Sequence, residues 1–457
     1  MYKRQAFGFA SRRAGAGFEG VTVADAPLPA AFELGLSVIG DAAGRPVQLW
    51  LNVRPGAYEA AALRTLAAHY RDVLMALGAD PRLPLARVLE QAEPACLQGP
   101  ALEVGTCSLY ERIAQWARDT PQAPAVVDVE QGITLDYATL FERVEWLAGA
   151  LQARGVRPGT VVALHLPRSA TLVAAMLAAW RCGAAYLPLD PAWPAARIET
   201  ILRDANAAAV VAPTAGTLRY PVPAVTPETD ATQAQAAAFD PESARGGHAY
   251  ILYTSGSTGT PKGVPVGQRQ LLNYVVAASH AMALARWRRW AMTATIAADL
   301  GNTAVYAALL HGAALVIAPE PALHDAKAYA RFVRQQGIDA VKMVPSHLAA
   351  LLEDEASAVP ACVVLGGEAT SGALLRRILA LAPACEIHNH YGPTETTVGV
   401  LVHRVAGPDD TRGGIVPLSQ PLANCRVYLL DGEGRPAPVG ALGELHVGCL
   451  LYTSRCV

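Results

Sequence analysis

From residue 108 onward, short apolar runs alternate with segments of helical periodicity. Apolar runs at Ala123–Val129 and Thr160–Leu166 predict buried strands, whereas Leu109–Arg118 and Ala170–Cys182 repeat apolar residues at helical spacing. The segment Gly183–Ile198 is rich in glycine and proline, which predicts tight turns. This alternation of strand and helix predicts an α/β fold with parallel sheets flanked by helices.

The first ninety residues follow a different pattern. Two strand-like runs, Phe32–Ile39 and Val47–Asn52, precede a strongly periodic helix predicted from Tyr58 to Leu77. Gly78 supplies the expected stop at the end of this helix. Residues 92–107 are rich in glycine and proline, so we expect a linker between two domains there.

The most distinctive stretch reads YTSGSTGTPKG, from Tyr253 to Gly263. Its hydroxyl groups and glycine amides are suited to bind phosphate oxygens, and Lys262 adds a mobile positive charge. Alternating residues at Tyr250–Tyr253 place this loop at the end of a buried strand. A plain flexible turn is the alternative, which the ordered ending TGTPKG disfavours. The loop also differs from the P-loop, where a hydroxyl residue follows the lysine, because Gly263 stands there.

Two ionisable residues, Asp299 and Lys342, interrupt apolar runs further along the chain, and His390 follows. Asp299 lies in TIAADLGNT, where an unpaired carboxylate is costly. Lys342 lies in a predicted buried strand and therefore needs an anionic partner or a lowered pKa. A lysine reaching the surface from a strand edge is the alternative. His390 is a third candidate, although such a histidine is more often a satisfied core residue.

Composition narrows the function classes. The chain has 457 residues, enough for two or three domains, and a net charge of −2. This charge provides no electrostatic basis for binding nucleic acid or an anionic membrane. No apolar run reaches the roughly 20 residues that span a bilayer, and no signal-peptide core is present, so we expect a cytoplasmic protein. Eight scattered cysteines without a CxxC pair indicate neither a zinc site nor a disulfide framework.

Both ends of the sequence look foreign to a protein fold. The peptide YKRQ after Met1 and the peptide CLLY from Cys449 can be encoded by overlapping reverse-complementary DNA. Such ends resemble a translated sequencing adapter around an insert, coincidence being the alternative. We therefore expect residues 1–5 and 449–457 to be adapter-derived, and the remainder to be a piece of a longer protein.

Seven motifs then occur in order: TLDYATL, RCGAAYLPLDPAWPAARI, YTSGSTGTPKG, AADLGNT, LGGEATSG, NHYGPTETT and GALGELHVG. Together they resemble the core motifs of an amino-acid adenylation domain of the nonribosomal peptide synthetases, in the adenylate-forming superfamily of acyl-CoA ligases and luciferases. The resemblance covers residues 108–448. It implies an N-terminal core of parallel βα subdomains with a small β-barrel subdomain, followed in the family by a mobile C-terminal subdomain.

Residues 6–91 resemble the C-terminal end of a condensation domain, an α+β fold, by their strand pair and long helix. The condensation motif HHxxxDG is absent from the sequence, so no condensation activity is expected. In the family, the adenylation lysine and an aspartate that binds the ribose lie beyond the GELHVG segment. We therefore expect the chain to adenylate poorly by itself.

The resemblance implies a reaction in which ATP and an amino acid give an aminoacyl-AMP and pyrophosphate. The acyl group then passes to the phosphopantetheine thiol of a separate carrier domain, so upstream and downstream carrier domains are the implied partners. The barrier is electrostatic, because an anionic carboxylate must attack an anionic phosphate. The implied catalytic residues are Lys262, Thr394 and Glu395, and Glu395 would also hold Mg²⁺.

The resemblance also implies two sets of binding residues. The ATP-binding set is Thr254, Ser255, Gly256, Ser257, Thr258, Gly259, Lys262, Gly366, Gly367, Glu368, Asn389, Tyr391, Gly392 and Thr394. The amino-acid pocket is Asp299, Leu300, Thr303, Lys342, Val364, Gly366, His390, Val398 and Gly399. In the family, an aspartate at the position of Asp299 pairs with the substrate α-ammonium.

The pocket sequence DLTKVGHVG resembles the aspartate-type pockets of the family. Lys342 and His390, read as two cationic groups, favour a negative side chain and hence L-aspartate over L-asparagine. β-Hydroxyaspartate stays open, since a polar pocket need not reject an added hydroxyl. The further alternatives are a stand-alone acyl- or aryl-CoA ligase and a non-catalytic docking module. Asp299 disfavours the first, and the intact Lys262 and Glu395 disfavour the second.

Overall fold

The computed structural model describes residues 34–40, 46–53, 60–80, 82, 96–213, 219–227, 238–255, 261–353, 357–437 and 442–449. These residues divide into two compact units. One contains the described residues up to Cys96 and those of Tyr428–His446, and the other contains those of Leu97–Val427 and Val447–Cys449. Every described candidate residue for nucleotide or amino-acid binding lies in the second unit.

The first unit begins with the secondary structure that the hydrophobic pattern predicts. Strands β1 (Leu34–Gly40) and β2 (Pro46–Val53) pair antiparallel, and helix α1 (Ala60–Ala79) follows. Within the described part of the chain, no helix combines the length and apolar character needed to cross a membrane. Strand β3 (Cys96–Gln98) lies inside the segment that was predicted as a linker.

Several helices of the second unit begin directly after a residue whose side chain caps the first turn. Ser108 caps α2 through a reciprocal pair of hydrogen bonds with Glu111, and Ser169 and Ser371 accept from backbone amides at the starts of α4 and α11. The helices among the described residues of this unit are α2 (Leu109–Asp119), α3 (Tyr137–Ala153), α4 (Ala170–Arg181), α5 (Ala195–Asp204), α6 (Pro241–Gly246), α7 (Gln268–Ala281), α8 (Asn302–Leu310), α9 (Ala326–Gln335), α10 (Pro345–Leu351) and α11 (Gly372–Leu381).

The strands of this unit form two large sheets. Their bounds are β4 (Pro124–Asp128), β5 (Ile133–Asp136), β6 (Val161–Leu164), β7 (Ala185–Pro188), β8 (Ala209–Val211), β9 (Ala224–Val225), β10 (His248–Ser255), β11 (Pro261–Gly267), β12 (Arg289–Met292), β13 (Ala314–Ile317), β14 (Ala340–Met343), β15 (Cys362–Leu365), β16 (Glu386–Tyr391), β17 (Leu401–Arg404) and β18 (Gln420–Pro421). Two further strands, β19 (Cys425–Leu430) and β20 (Glu444–Cys449), follow.

One sheet has the order β11-β10-β7-β6-β8-β9 and the other β18-β17-β16-β15-β14-β12-β13-β4-β5. The interior strands of both run parallel, with antiparallel strands only toward the edges, which confirms the predicted α/β architecture.

One predicted turn segment contains an interior strand instead. The Gly- and Pro-rich stretch Gly183–Ile198 includes β7, whose four residues are all buried and which lies between β6 and β10. The strand is short, and it ends at Pro188 shortly before Pro191 and Pro194. A four-residue buried strand has too few positions to show a period, so the flanking turn residues dominated the sequence pattern.

Alternation along β14 decides which side chains reach the pocket. Val341 and Met343 belong to a hydrophobic cluster with Tyr329 and Phe332 of α9. Because successive residues of a strand point to opposite faces, Lys342 projects from the other face of the sheet. The strand is interior, between β12 and β15, so the lysine has no sheet edge from which to reach solvent.

Candidate active site

The predicted phosphate loop connects two antiparallel strands. Strand β10 ends at Ser255 and β11 begins at Pro261, with Thr254 opposite Lys262 in the register. The prediction that the loop starts at the end of a strand is therefore confirmed. The candidates Gly256, Ser257, Thr258 and Gly259 lie outside the described residues. Lys262 is exposed, and β11 contacts the turn Thr394–Thr396.

The second candidate loop follows β16. Tyr391, the last residue of β16, is 41% exposed and presents an aromatic side chain next to this turn. Thr394 and Glu395 lie in a 3-10 turn, where Glu395 is exposed. A side-chain hydrogen bond from Thr394 and the repulsion from Glu395 both act on Asp299. The fold thus brings the phosphate-loop hairpin, the Thr394 turn and Asp299 to one place.

Asp299 is the acidic centre of the site. It begins a 3-10 turn that continues directly into α8. Burial raises the pKa of Asp299 to about 6, against the hydrogen bond from Thr394 and the attraction of Lys342, which lower it. Its Oδ2 atom is buried and has no hydrogen-bond partner among the described residues. A buried acceptor without a donor fits a cationic ligand such as an ammonium group.

Lys342 is the basic centre of the site. Only 2% of the residue is exposed, which excludes the alternative of a lysine reaching the surface. Burial lowers the pKa of Lys342 to about 7, and the Asp299 carboxylate acts in the opposite direction. Its Nζ lies 2.7 Å from Nδ1 of His390. The lysine is therefore hydrogen-bonded, and its charge lies in the same buried region as Asp299.

The structure corrects the interpretation of His390 as a second cation. His390 is 3% exposed, and burial together with the neighbouring Lys342 lowers its pKa well below the ordinary value. The ring is thus neutral near pH 7, with Nδ1 accepting a hydrogen bond from the lysine. The pocket contains one basic charge rather than two, and His390 contributes a hydrogen-bond acceptor.

Two glycines let the backbone approach these side chains. A Cβ atom at Gly399 would lie 2.0 Å from Cε1 of His390, and one at Gly366 would lie 2.8 Å from Nζ of Lys342. Thr397 and Val398 precede Gly399 with φ angles of 63° and 64°, an uncommon backbone conformation for β-branched residues. This strained turn carries Gly399 onto the histidine ring.

The remaining pocket candidates lie around Asp299 and Lys342. Val364 pairs with Lys342 in the register of β14 and β15 and is fully buried. Thr303 lies one helical turn beyond Asp299 and is 2% exposed. Leu300 is close to Gly367, since a Cβ atom there would lie 3.0 Å from its Cδ1. All of these residues belong to the region around Asp299 and Lys342.

Two of the ATP-binding candidates have structural partners. Asn389 accepts from the Thr370 hydroxyl and donates to the carbonyls of Val416 and Pro417, all at 3.0–3.1 Å. Its side chain ties β16 to the segment around residue 416, which favours a structural role over nucleotide binding. Glu368 accepts from the backbone amide of Ser346 at the start of α10 and is otherwise exposed.

The sequence analysis missed Tyr274. This residue of α7 is 1% exposed, and its hydroxyl lies 2.7 Å from Oγ1 of Thr303 and 3.4 Å from Nε2 of His390. Tyr274 belongs to none of the seven motifs, and the hydrophobic pattern of its helix does not distinguish it from its neighbours. Only the packing of α7 against α8 brings the tyrosine to two pocket residues that are distant in sequence.

The residues present fit a magnesium ion that arrives with its nucleotide. Among the described residues no group of three or more His, Cys, Asp and Glu side chains is placed to hold a metal. Mg²⁺ commonly keeps several waters and binds through one or two carboxylates and substrate phosphates. The exposed carboxylate of Glu395, on the turn that contacts β11, is suited to such a site.

Comparison with known proteins identifies the family. The profile described as AMP-binding enzyme matches residues 113–449. The chain belongs to the AMP-binding enzyme family. The matched range includes both candidate loops and every residue of the candidate amino-acid pocket.

Two curated relatives of this AMP-binding chain are named as synthases. Chondramide synthase cmdD of Chondromyces crocatus is 34% identical over 414 residues, which is 85% of this chain and 10% of that protein. Tyrocidine synthase 3 of Brevibacillus parabrevis is 29% identical over 428 residues, covering 90% of this chain and 6% of that protein. The chain therefore spans a tenth or less of the length of these two relatives.

Solved structures agree on the fold. The nonribosomal peptide synthetase FmoA3 superposes with a TM-score of 0.78 at 27% identity, over 92% of this chain and 46% of that chain. The four-domain synthetase holo-AB3403, bound to AMP and glycine, gives 0.79 at 25% identity, over 92% and 31%. The chain thus belongs to the AMP-binding enzyme family and shares its fold with these two synthetase structures.

Proposed function

We propose that the chain is an adenylation domain that activates L-aspartate, joining its α-carboxylate to AMP and releasing pyrophosphate. The observation that carries the proposal is the presence of Asp299 and Lys342, opposite in charge, in one buried region. Asp299 would bind the α-ammonium, and its unpartnered Oδ2 is free to do so. Lys342 would bind the side-chain carboxylate.

Charge balance favours aspartate over asparagine. With Asp299 paired to the ammonium, Lys342 is left as a buried cation without a neutralising partner. A substrate carboxylate supplies that partner, whereas an amide leaves the charge uncompensated. L-Asparagine and β-hydroxyaspartate are the nearest alternative substrates. A stand-alone acyl- or aryl-CoA ligase would have no use for Asp299, and a non-catalytic docking module would have no use for Lys262 or Glu395.

The other site residues would act on the nucleotide. Thr254 and Lys262, with the loop between them, would hold the β- and γ-phosphates. Thr394 would approach the α-phosphate, and the exposed ring of Tyr391 would lie against the adenine. Mg²⁺, held in part by Glu395, would neutralise charge on the phosphates. Gly366 and Gly367 would allow the backbone to approach the nucleotide.

The chain would act within a larger synthetase in the cytoplasm. We propose that residues 6–91 are the end of a condensation domain, residues 92–107 a linker and residues 108–448 the adenylation core. The alignment with FmoA3 covers 92% of the chain and so extends beyond the family match at residues 113–449. The acyl group would pass to phosphopantetheine on a separate carrier domain.

The test compares L-aspartate with L-asparagine and L-phenylalanine. Amino-acid-dependent exchange of pyrophosphate into ATP measures activation, and calorimetric binding in the presence of AMP measures recognition without turnover. We expect a clear preference for aspartate by either assay. Replacing Lys342 by Ala should weaken aspartate recognition at least ~10-fold. Equal rates or affinities with phenylalanine would disprove the pocket assignment, and an unchanged aspartate-to-asparagine ratio in the variant would show that Lys342 does not contact the side chain.

A further inference from the structure

Four buried side chains form a continuous hydrogen-bonded chain across the pocket. Nζ of Lys342 lies 2.7 Å from Nδ1 of His390, and Nε2 of His390 lies 3.4 Å from the hydroxyl of Tyr274. The same hydroxyl lies 2.7 Å from Oγ1 of Thr303. Each of the four residues is at most 3% exposed. This series of hydrogen bonds thus joins Lys342 to α8, the helix that follows Asp299.

The chemistry of its first member fixes the direction of the whole chain. A protonated lysine only donates, so Nδ1 of His390 accepts and the histidine proton is on Nε2. That proton points at Tyr274, whose oxygen accepts it. The tyrosine proton is then directed to Oγ1 of Thr303, which accepts it in turn. The hydroxyl proton of Thr303 is left to donate to a ligand.

We propose that Tyr274 is a positioning residue for substrate selection, which orients the Thr303 hydroxyl as a second donor of the pocket in addition to Lys342. This inference rests on the proposed function, because it concerns the side chain of the same substrate. A carboxylate offers an acceptor oxygen to each of the two donors. An amide offers one oxygen, and its NH₂ group meets the second donor without an acceptor. The hydrogen-bonded series therefore distinguishes aspartate from asparagine by the number of acceptor oxygens, in addition to the charge of the side chain.

Two substitutions break the hydrogen-bonded series with little change in side-chain size. Tyr274→Phe removes the hydroxyl that orients Thr303, and Thr303→Val removes the donor itself. Tyr137→Phe is the matched control, because the Tyr137 hydroxyl is also buried and bonds to the Ala313 carbonyl at 3.0 Å, away from the pocket. Each protein is assayed for affinity toward L-aspartate and L-asparagine and for its melting temperature.

We expect Tyr274→Phe and Thr303→Val each to lower the aspartate-to-asparagine affinity ratio roughly 10-fold, the value of one hydrogen bond to a charged group. The double variant should lose no more than either single variant, since both act through one contact. Tyr137→Phe should lower the melting temperature and leave the ratio unchanged. An unchanged ratio in Tyr274→Phe, or additive losses in the double variant, would overturn the role of Tyr274 while leaving the proposed substrate intact. A wild-type chain without preference for aspartate would overturn both.

A second measurement needs no substrate. In ¹⁵N-histidine-labelled protein, the nitrogen shifts of His390 report which ring nitrogen carries the proton, and His390→Gln identifies the signal. We expect a neutral ring protonated at Nε2 at pH 6. A neutral ring protonated at Nδ1 would reverse the chain and overturn the inference.

Discussion

Lys342 donates to a neutral His390 across 2.7 Å inside the protein, so the basic charge of the pocket has a hydrogen-bond acceptor there and not a carboxylate. Burial lowers the pKa of Lys342 to about 7. A buried charge without a counter-charge lowers the free energy of unfolding when no substrate is bound. This cost arises at the position where a substrate carboxylate would bind.

This cost predicts how stability depends on pH. Since the folded pKa of Lys342 is about 7, below its ordinary value of 10.5, the unfolded chain binds more protons between these values. Stability from this group therefore rises with pH above 7. Relative to Lys342→Met, we expect the wild type to gain about 1.4 kcal/mol per pH unit between pH 7 and 9. Denaturant unfolding at each pH measures the difference in unfolding free energy between the wild type and Lys342→Met, with the exposed Lys327→Met as control. A difference that does not change with pH would contradict the lowered pKa of Lys342.

The two charged centres also predict the pH dependence of substrate binding. Asp299, with a pKa of about 6, must be ionised to bind an ammonium, so affinity should fall below pH 6. Lys342, with a pKa of about 7, must be protonated to bind a carboxylate, so aspartate affinity should also fall above pH 7. We expect a bell-shaped profile for aspartate in calorimetric titrations. The affinity for asparagine should not fall above pH 7, because asparagine has no side-chain carboxylate to pair with Lys342. An identical pH profile for both amino acids would contradict the role of Lys342.

The sequence predicted the parts of the site that depend on local pattern. The apolar run around Lys342 predicted a buried strand, and the structure places β14 there with all four residues buried. Glycine, serine and threonine at Tyr253–Gly263 predicted a loop at a strand end, which β10 confirms. The protonation state of His390 was not predictable, because it depends on burial and on a lysine 48 residues away. Tyr274 was missed for the same reason, since its partners come from other elements.

The close approach of Gly399 to His390 gives a further prediction. A methyl group at this position would lie 2.0 Å from the ring, so Gly399→Ala should displace His390 and break its hydrogen bond with Lys342. We expect at least ~10-fold weaker aspartate binding, the scale of one hydrogen bond to a charged group, and a lower melting temperature. Gly407→Ala is the control, because nothing lies within 4 Å of its added methyl group. Wild-type aspartate affinity in Gly399→Ala would show that the ring position does not matter for binding.

Lys262 provides the test of the phosphate side. It is exposed on β11, opposite Thr254 at the edge of the loop, and β11 contacts the turn that carries Thr394. If this lysine binds the outer phosphates, Lys262→Ala should weaken ATP binding about 10-fold, as for a charge-assisted hydrogen bond, and leave AMP binding nearly unchanged. Lys327→Ala, an exposed lysine on α9, should alter neither affinity. Because AMP lacks the β- and γ-phosphates, equal losses for both nucleotides would place Lys262 at the α-phosphate or the nucleoside instead.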